Sequence, residues 1–166
     1  MRKLTVLMSV LGLTLIGAPA TSAQAQPQSL EGAAVGSLTF PSGTECQNYE
    51  GQNLRTDGLA TGLSTVLGQV TLTTAHCTPE GAEIAGEATL VAGGGDEIQL
   101  QYAGANAPPD PETGVLVSPA DFAIVGGTGR FEGAEGEGTL TAYVLFEGLE
   151  DPEWLAGWSW EGSIDF

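Results

Sequence analysis

Apolar and polar residues alternate with a period of two over several stretches of this chain, the pattern of a strand that buries one face. From Leu67 to Cys77, Val70, Leu72, Thr74 and His76 share one face, and Gln69, Thr71, Thr73 and Ala75 the other. Glu87 to Ala92 reads as the next strand. The turn Gly93-Gly94-Gly95-Asp96 then leads into Ile98-Gln99-Leu100-Gln101-Tyr102, which alternates again, so these two pair as a hairpin. Ala33 to Phe40 forms a first strand after a flexible start over 26–32, and Pro41-Ser42-Gly43 ends it. Residues 44–62 are polar with scattered glycine and read as a long loop with a short strand near 53–58. Three prolines make Asn106 to Thr113 a loop. Val115 to Val125 is a strand that Ser118-Pro119 bends or places at an edge. Glu137 to Phe146 is another strand and Glu147 to Gly157 an acidic loop. Trp158 to Phe166 closes the chain, with Trp158, Trp160, Gly162, Ile164 and Phe166 on one face. No stretch carries a convincing helical period. Short strands separated by turn signals imply an all-β barrel or sandwich, and a barrel would remove the exposed edges.

One corner is unusually dense in glycine. Phe122 to Val125 runs into Gly126-Gly127-Thr128-Gly129-Arg130-Phe131, and glycine follows at 133, 136 and 138. Three glycines in four positions imply positive φ or a close approach to another segment. A dinucleotide-binding turn also begins with glycines after a strand, but it must open a helix. Three further glycines, each costing a helix about 1 kcal/mol, argue against one. Arg130 in this corner is a candidate to lock it through Asp121, Glu132 or Glu135, or to anchor an anionic ligand.

The run from Ile124 to Thr141 resembles the signature of the allene oxide cyclase-like and dirigent-like β-barrel superfamily, particularly its small secreted bacterial members. Leu63 to Thr73 and Gly86 to Ile98 fit the same order of pieces, so the resemblance spans roughly residues 60–166. It implies a single antiparallel β-barrel of about eight strands, closed or nearly closed, with an apolar lumen. In plant dirigent-like proteins the corner is followed by Ala-Arg-Gly, whose arginine is associated with the pocket. Here the run is Ala134-Glu135-Gly136. The polar segment of allene oxide cyclase has no recognisable counterpart in 33–66. No catalytic residue is therefore carried over.

Composition narrows the partners. Residues 1–25 read as a secretory signal peptide: Arg2 and Lys3, an apolar run from Leu4 to Ile16, and the cleavage site Ala23-Gln24-Ala25. The expected mature chain, 26–166, is one secreted or periplasmic barrel domain. The full chain has 21 acidic residues against four Lys and Arg. Cleavage leaves only Arg55 and Arg130, for a formal net charge of −19. Such a surface excludes nucleic acid, whose binding depends on cationic contacts, and anionic membranes. The leader run is too short to span a bilayer, and no later stretch is longer. Cys46 and Cys77, 31 residues apart in an exported chain, are expected to form a disulfide contributing about 3–4 kcal/mol. Two cysteines and one histidine are a poor zinc set. The acidic clusters Asp96-Glu97, Asp110 to Glu112 and Glu147 to Glu153 lack any EF-hand spacing. No metal and no cofactor is expected.

Thr73-Thr74-Ala75-His76-Cys77 looks like the segment around the histidine of trypsin-like proteases, but the chain has no Gly-Asp-Ser-Gly-Gly nucleophile motif. His76 is then either a hydrogen-bonded structural residue or a pocket group. Trp154, Trp158, Trp160, Tyr102, Tyr143, Phe122 and Phe146 either fill the core or line a lumen; a barrel of about eight strands is just wide enough for one small ligand. The candidate ligand-binding set is His76, Tyr102, Phe122, Arg130, Trp158 and Trp160. The function expected is binding of a small apolar molecule. Two alternatives stay open: a cyclase-like or dirigent-like enzyme acting on a reactive lipid or phenolic intermediate, drawing on His76, Tyr102, Glu87 or Arg130, and a structural or cell-surface module.

Overall fold

The computed structural model describes residues 27–41, 54–78, 83–146, 148 and 151–166. Eight strands follow one another along the chain: β1 (Gln28–Thr39), β2 (Leu54–Ser64), β3 (Gly68–Thr78), β4 (Glu83–Ala92), β5 (Glu97–Ala105), β6 (Val115–Gly127), β7 (Glu135–Leu145) and β8 (Glu153–Asp165). Each pairs antiparallel with the next, and β8 returns to β1 to close the barrel. Period-two alternation drives this arrangement. Leu30, Ala34 and Leu38 of β1 point inward and are buried, as are Val70, Leu72 and Thr74 of β3.

Three expectations need correction. The stretch read as a long loop over 44–62 instead contains β2, paired with β3 along its full length from Leu54↔Thr78 to Ser64↔Gly68. Glycine at 58 and 62 hid its alternation, because an inward glycine adds no apolar side chain to the pattern. Next, β1 begins at Gln28, within the segment read as a flexible start, because Leu30 packs fully buried in the core. At the other end of the chain, β8 begins at Glu153, within the acidic segment read as a loop. β6 runs through Ser118-Pro119 without a break, but there it pairs with β7 alone, since pairing with β5 stops at Gly104↔Ala120; the proline thus stands at an edge, as expected, and the strand's irregularity lies at Val125, where pairing shifts from Leu100↔Ile124 to Gln99↔Gly126. The leader at 1–25 and Cys46 lie outside the described residues. Cys77, near the end of β3, is not a free thiol.

The two ends of the barrel differ. At one end the β2–β3 and β4–β5 turns are short, and the glycine corner folds across the opening. A single 3-10 turn, Gly129–Phe131, drops the Phe131 ring fully into the core, 4.8 Å from that of Phe166. The corner is pinned to the neighbouring turns. The Thr128 N–H donates to the Glu97 carbonyl at 2.9 Å, and the Glu97 N–H donates to Thr128 Oγ1 at 3.2 Å. Arg130 Nη2 donates to the Val66 carbonyl at 3.0 Å, and its Nε lies 3.5 Å from the Asp96 carboxylate. The partner is thus Asp96, not Asp121, Glu132 or Glu135: the corner turns Arg130 back over the β4–β5 turn, which no local spacing announces. Gly129 holds φ +61°, and a Cβ there would stand 1.9 Å from Asp96 Oδ1. Positive φ and close approach both apply at Gly129.

Candidate functional site

The half of the barrel next to this plug is filled by large side chains, with Leu30, Leu72, Leu90, Ile98 and Ile164 all fully buried. The other half is not filled. There the inward positions of several strands are small: Gly58, Gly86, Ala120 and Ala142. A cavity of about 420 Å³ results, opening at the end where the longer connections lie. Its size falls in the range of sites that enclose one small molecule.

The wall is divided. Strands β6 to β8 and β1 supply an apolar side that includes Leu38, Leu116, Leu140, Val144 and Trp158. Three aromatic rings frame the mouth: Trp154 stands between Phe40 and Phe146, with ring centroids 4.3 and 5.0 Å away. The Trp154 indole N–H donates to the Gly148 carbonyl at 3.1 Å, which satisfies its one polar atom. Strands β2 to β5 supply the polar side, with Thr56, Thr74, His76 and Tyr102. Ser118 and Asn106 close it, the Ser118 hydroxyl donating to Asn106 Oδ1.

His76 and Tyr102 stand on either side of Gly86 in one cross-strand row, His76↔Gly86↔Tyr102. A Cβ on Gly86 would come within 2.6 Å of His76 Cβ, so only glycine leaves His76 its place. His76 Nδ1 and the Tyr102 oxygen are 2.9 Å apart. Burial lowers the His76 pKa to about 4, against a smaller opposing pull from the Asp57 carboxylate. Burial likewise raises the Tyr102 phenol; the Thr74 hydroxyl beside it opposes this slightly, and Asp57 adds to it. Both groups are therefore neutral at pH 7. With the imidazole in its Nε2–H form, the phenol donates to Nδ1. Thr74 Oγ1 lines the cavity, is buried, and meets no partner at hydrogen-bond geometry. A buried hydroxyl facing a cavity in this state is completed by a water or a ligand.

Among the described residues, no charged side chain lines the cavity. Among the described residues no cluster of three or more His, Cys, Asp or Glu could hold a metal. The site can bind an uncharged molecule, offer hydrogen bonds along one edge, and pass a proton through a neutral imidazole–phenol pair.

Of the six candidate ligand-binding residues, the structure brings His76, Tyr102 and Trp158 together on the cavity wall. Phe122 and Trp160 point inward but lie in the filled half. The Trp160 indole covers Gly32, where a Cβ would stand 2.2 Å from the ring, and the Phe122 ring covers Gly138 at 2.7 Å. Arg130 lies outside the barrel at the plugged end, and Glu87 is exposed on the outer face. The candidate set of six omits Trp154, which the sequence offered only as an aromatic filling the core or lining a lumen, and Thr74, Thr56 and the Asn106–Ser118 pair, which also line the cavity. For Trp154 the signal was present: Trp154, Ala156, Trp158 and Trp160 share one phase, which carries the last strand back through the acidic segment.

Searched by sequence, the chain matches no family model and no curated protein. Searched by shape, it resembles the pterocarpan synthase dirigent protein PsPTS1 with a TM-score of 0.52 at 13% identity, over 86% of this chain and 96% of that one. The pterocarpan synthase dirigent protein GePTS1 aligns with a TM-score of 0.44 at 14% identity, over 88% of each chain. The likeness to PsPTS1 establishes a dirigent-like barrel as the fold.

Proposed function

We propose that this protein is an exported barrel that binds one small, uncharged, largely apolar molecule in the open half of its lumen. The observation that carries the reading is the cavity itself. An aromatic and aliphatic wall faces a polar edge on which the buried Thr74 hydroxyl has no partner of its own. Apolar area gives such a site its affinity, and a few placed polar groups give it orientation. The leader at 1–25 and a Cys46–Cys77 bridge belong to the same proposal, as does membership of the allene oxide cyclase-like group.

Native mass spectrometry of the protein purified from its source tests the reading. A co-purifying compound, released on denaturation, is the expected result, on a chain that begins near Gln26 and is two hydrogens lighter than its reduced form. A bare mass in the native spectrum, together with failure of uncharged aromatic probes to bind, would count against it.

A second reading has specific support. The fold is that of a pterocarpan synthase dirigent protein, and the His76–Tyr102 pair gives the cavity a neutral proton relay. On this reading the barrel steers a reactive intermediate. It predicts that the co-purified compound, or its precursor, is converted by the wild type, and that Tyr102→Phe binds the compound but converts it more slowly.

A further inference from the structure

The cavity has a second polar station, near its mouth. On the inner face of β5, Tyr102 and Gly104 are followed by Asn106, just past the end of the strand. Alternate residues on one face of a strand lie about 6.8 Å apart, so Asn106 stands about 13 Å from Tyr102 along the wall. Gly104 between them has no side chain to fill the gap. Asn106 faces Ser118 of β6, whose hydroxyl is buried and donates to Asn106 Oδ1 at 2.5 Å. That separation suits O–H···O and is too short for N–H···O, which fixes the way the amide points. Oδ1 is thereby engaged, while the Asn106 amide nitrogen makes no hydrogen bond among the described residues. The other side chains at the opening, Phe40, Pro109, Leu116, Phe146 and Trp154, bring no acceptor.

We propose that Asn106 is a specificity-determining residue: its amide N–H donates to a carbonyl oxygen at the outer end of the bound molecule, a neutral ketone, ester or lactone. This rests on the reading of the cavity as a binding site. An acceptor with no proton of its own satisfies the amide completely. A hydroxyl in its place would accept from Asn106 but leave its own proton against apolar side chains, at the cost of an unmade bond. A hydrocarbon end would leave the amide nitrogen without a partner. A carboxylate would accept as well, but the open end of the barrel carries Asp110, Glu112 and Glu153. Beyond Lys3 the chain has no Lys or Arg except Arg55 and Arg130. Arg55 is held by Asp57 at 2.9 Å, and Arg130 lies beside Asp96 at the plugged end. An anion at the mouth therefore meets repulsion and gains no cationic partner. Ser118 acts through Asn106, as the positioning residue that holds the amide plane.

Two uncharged naphthylamine probes test this, one bearing an acyl carbonyl at the far end of the ring system and one with an alkyl group in its place. Emission of the acyl probe moves to longer wavelength when its carbonyl accepts a hydrogen bond. Titration thus reads affinity, and wavelength reads the bond. The wild type should bind the acyl probe about threefold to tenfold more tightly than the alkyl probe, the value of one hydrogen bond. Asn106→Asp keeps the shape of the side chain and the bond from Ser118, but replaces the donor with an acceptor. It should weaken the acyl probe by about tenfold or more, move its bound emission to shorter wavelength, and leave the alkyl probe within about twofold. Asn106→Leu, with a cooperative melt as the check on folding, should bring the two probes to equal affinity without adding a charge. Equal affinity of the wild type for both probes overturns this inference alone. So does an equal loss of both probes in the Asn106 variants with the emission unmoved. A wild type that binds neither probe overturns it together with the reading of the cavity on which it rests.

Discussion

At the scale of single residues, the site depends on groups kept neutral by burial. Folding holds His76 at about 4 against 6.5 in an open chain. Between those values the unfolded state binds more proton than the folded one, so this contribution is complete above pH 6.5 and lost as pH falls towards 4. A displacement of this size corresponds to about 3 kcal/mol. His76→Gln should abolish that share of the pH dependence. Urea unfolding at pH 7 and pH 4.5, compared between wild type and variant, isolates it from the many carboxylates; equal slopes in both proteins would place the histidine in ordinary solvent. Thr74 makes the complementary case. Because its hydroxyl is buried without a partner, Thr74→Val should leave stability within about 1 kcal/mol of wild type. It should weaken binding of a hydrogen-bonding ligand by roughly threefold to tenfold, the value of one such bond. Paired thermal melts and binding titrations read both effects, and a stability loss well above that range would mean the hydroxyl is already satisfied.

At the scale of elements, the glycine corner is a plug and the inward glycines are spacers. Phe131→Ala should cost about 3–5 kcal/mol, as expected for removing a fully buried ring. Asp96→Ala should cost less than about 1 kcal/mol, because the Arg130 pair is half exposed. Denaturant midpoints of the two variants rank the ring against the ion pair. Gly58→Ala acts on the cavity: its Cβ would stand 2.3 Å from Thr74 Oγ1 and 2.9 Å from the Trp158 ring. The indole must shift, and overpacking of this kind costs about 1–3 kcal/mol. A melting temperature unchanged from wild type would show that the site accommodates the methyl.

The same elements show what could be read without the structure. Strands with an apolar residue at every second position, such as Val70-Leu72 and Ile98-Leu100-Tyr102, declare their inner face directly. β2 does not, because Gly58 and Gly62 leave its inner face nearly blank; only pairing with β1 and β3 reveals it. His76, Tyr102 and Trp158 were legible as inward-facing residues that line the cavity because they are polar or aromatic in phase with a strand. Phe122 and Trp160 are in phase as well, but depth along the barrel depends on stagger between strands, and stagger is a property of the closed sheet. Arg130 could not be placed from its neighbours, since its partners arrive from the β2–β3 and β4–β5 turns.

For the whole molecule, closure explains how a strongly acidic chain with few cations forms a stable sheet. Every strand has two partners, so no edge is left to pair with another chain. The charges go to the outer face and the volume goes inward, where one half is packed and the other is open. That division is the central claim, and fluorescence titration with an uncharged naphthylamine probe tests it most directly. Trp154 and Trp158 on the cavity wall are the energy donors. The wild type should show saturable transfer at one probe per chain, and Ala142→Trp, which places an indole in the cavity, should abolish it while keeping a cooperative melt. Transfer that never saturates, or that persists unchanged in the filled variant, would contradict the claim that the open half of this barrel is a binding site.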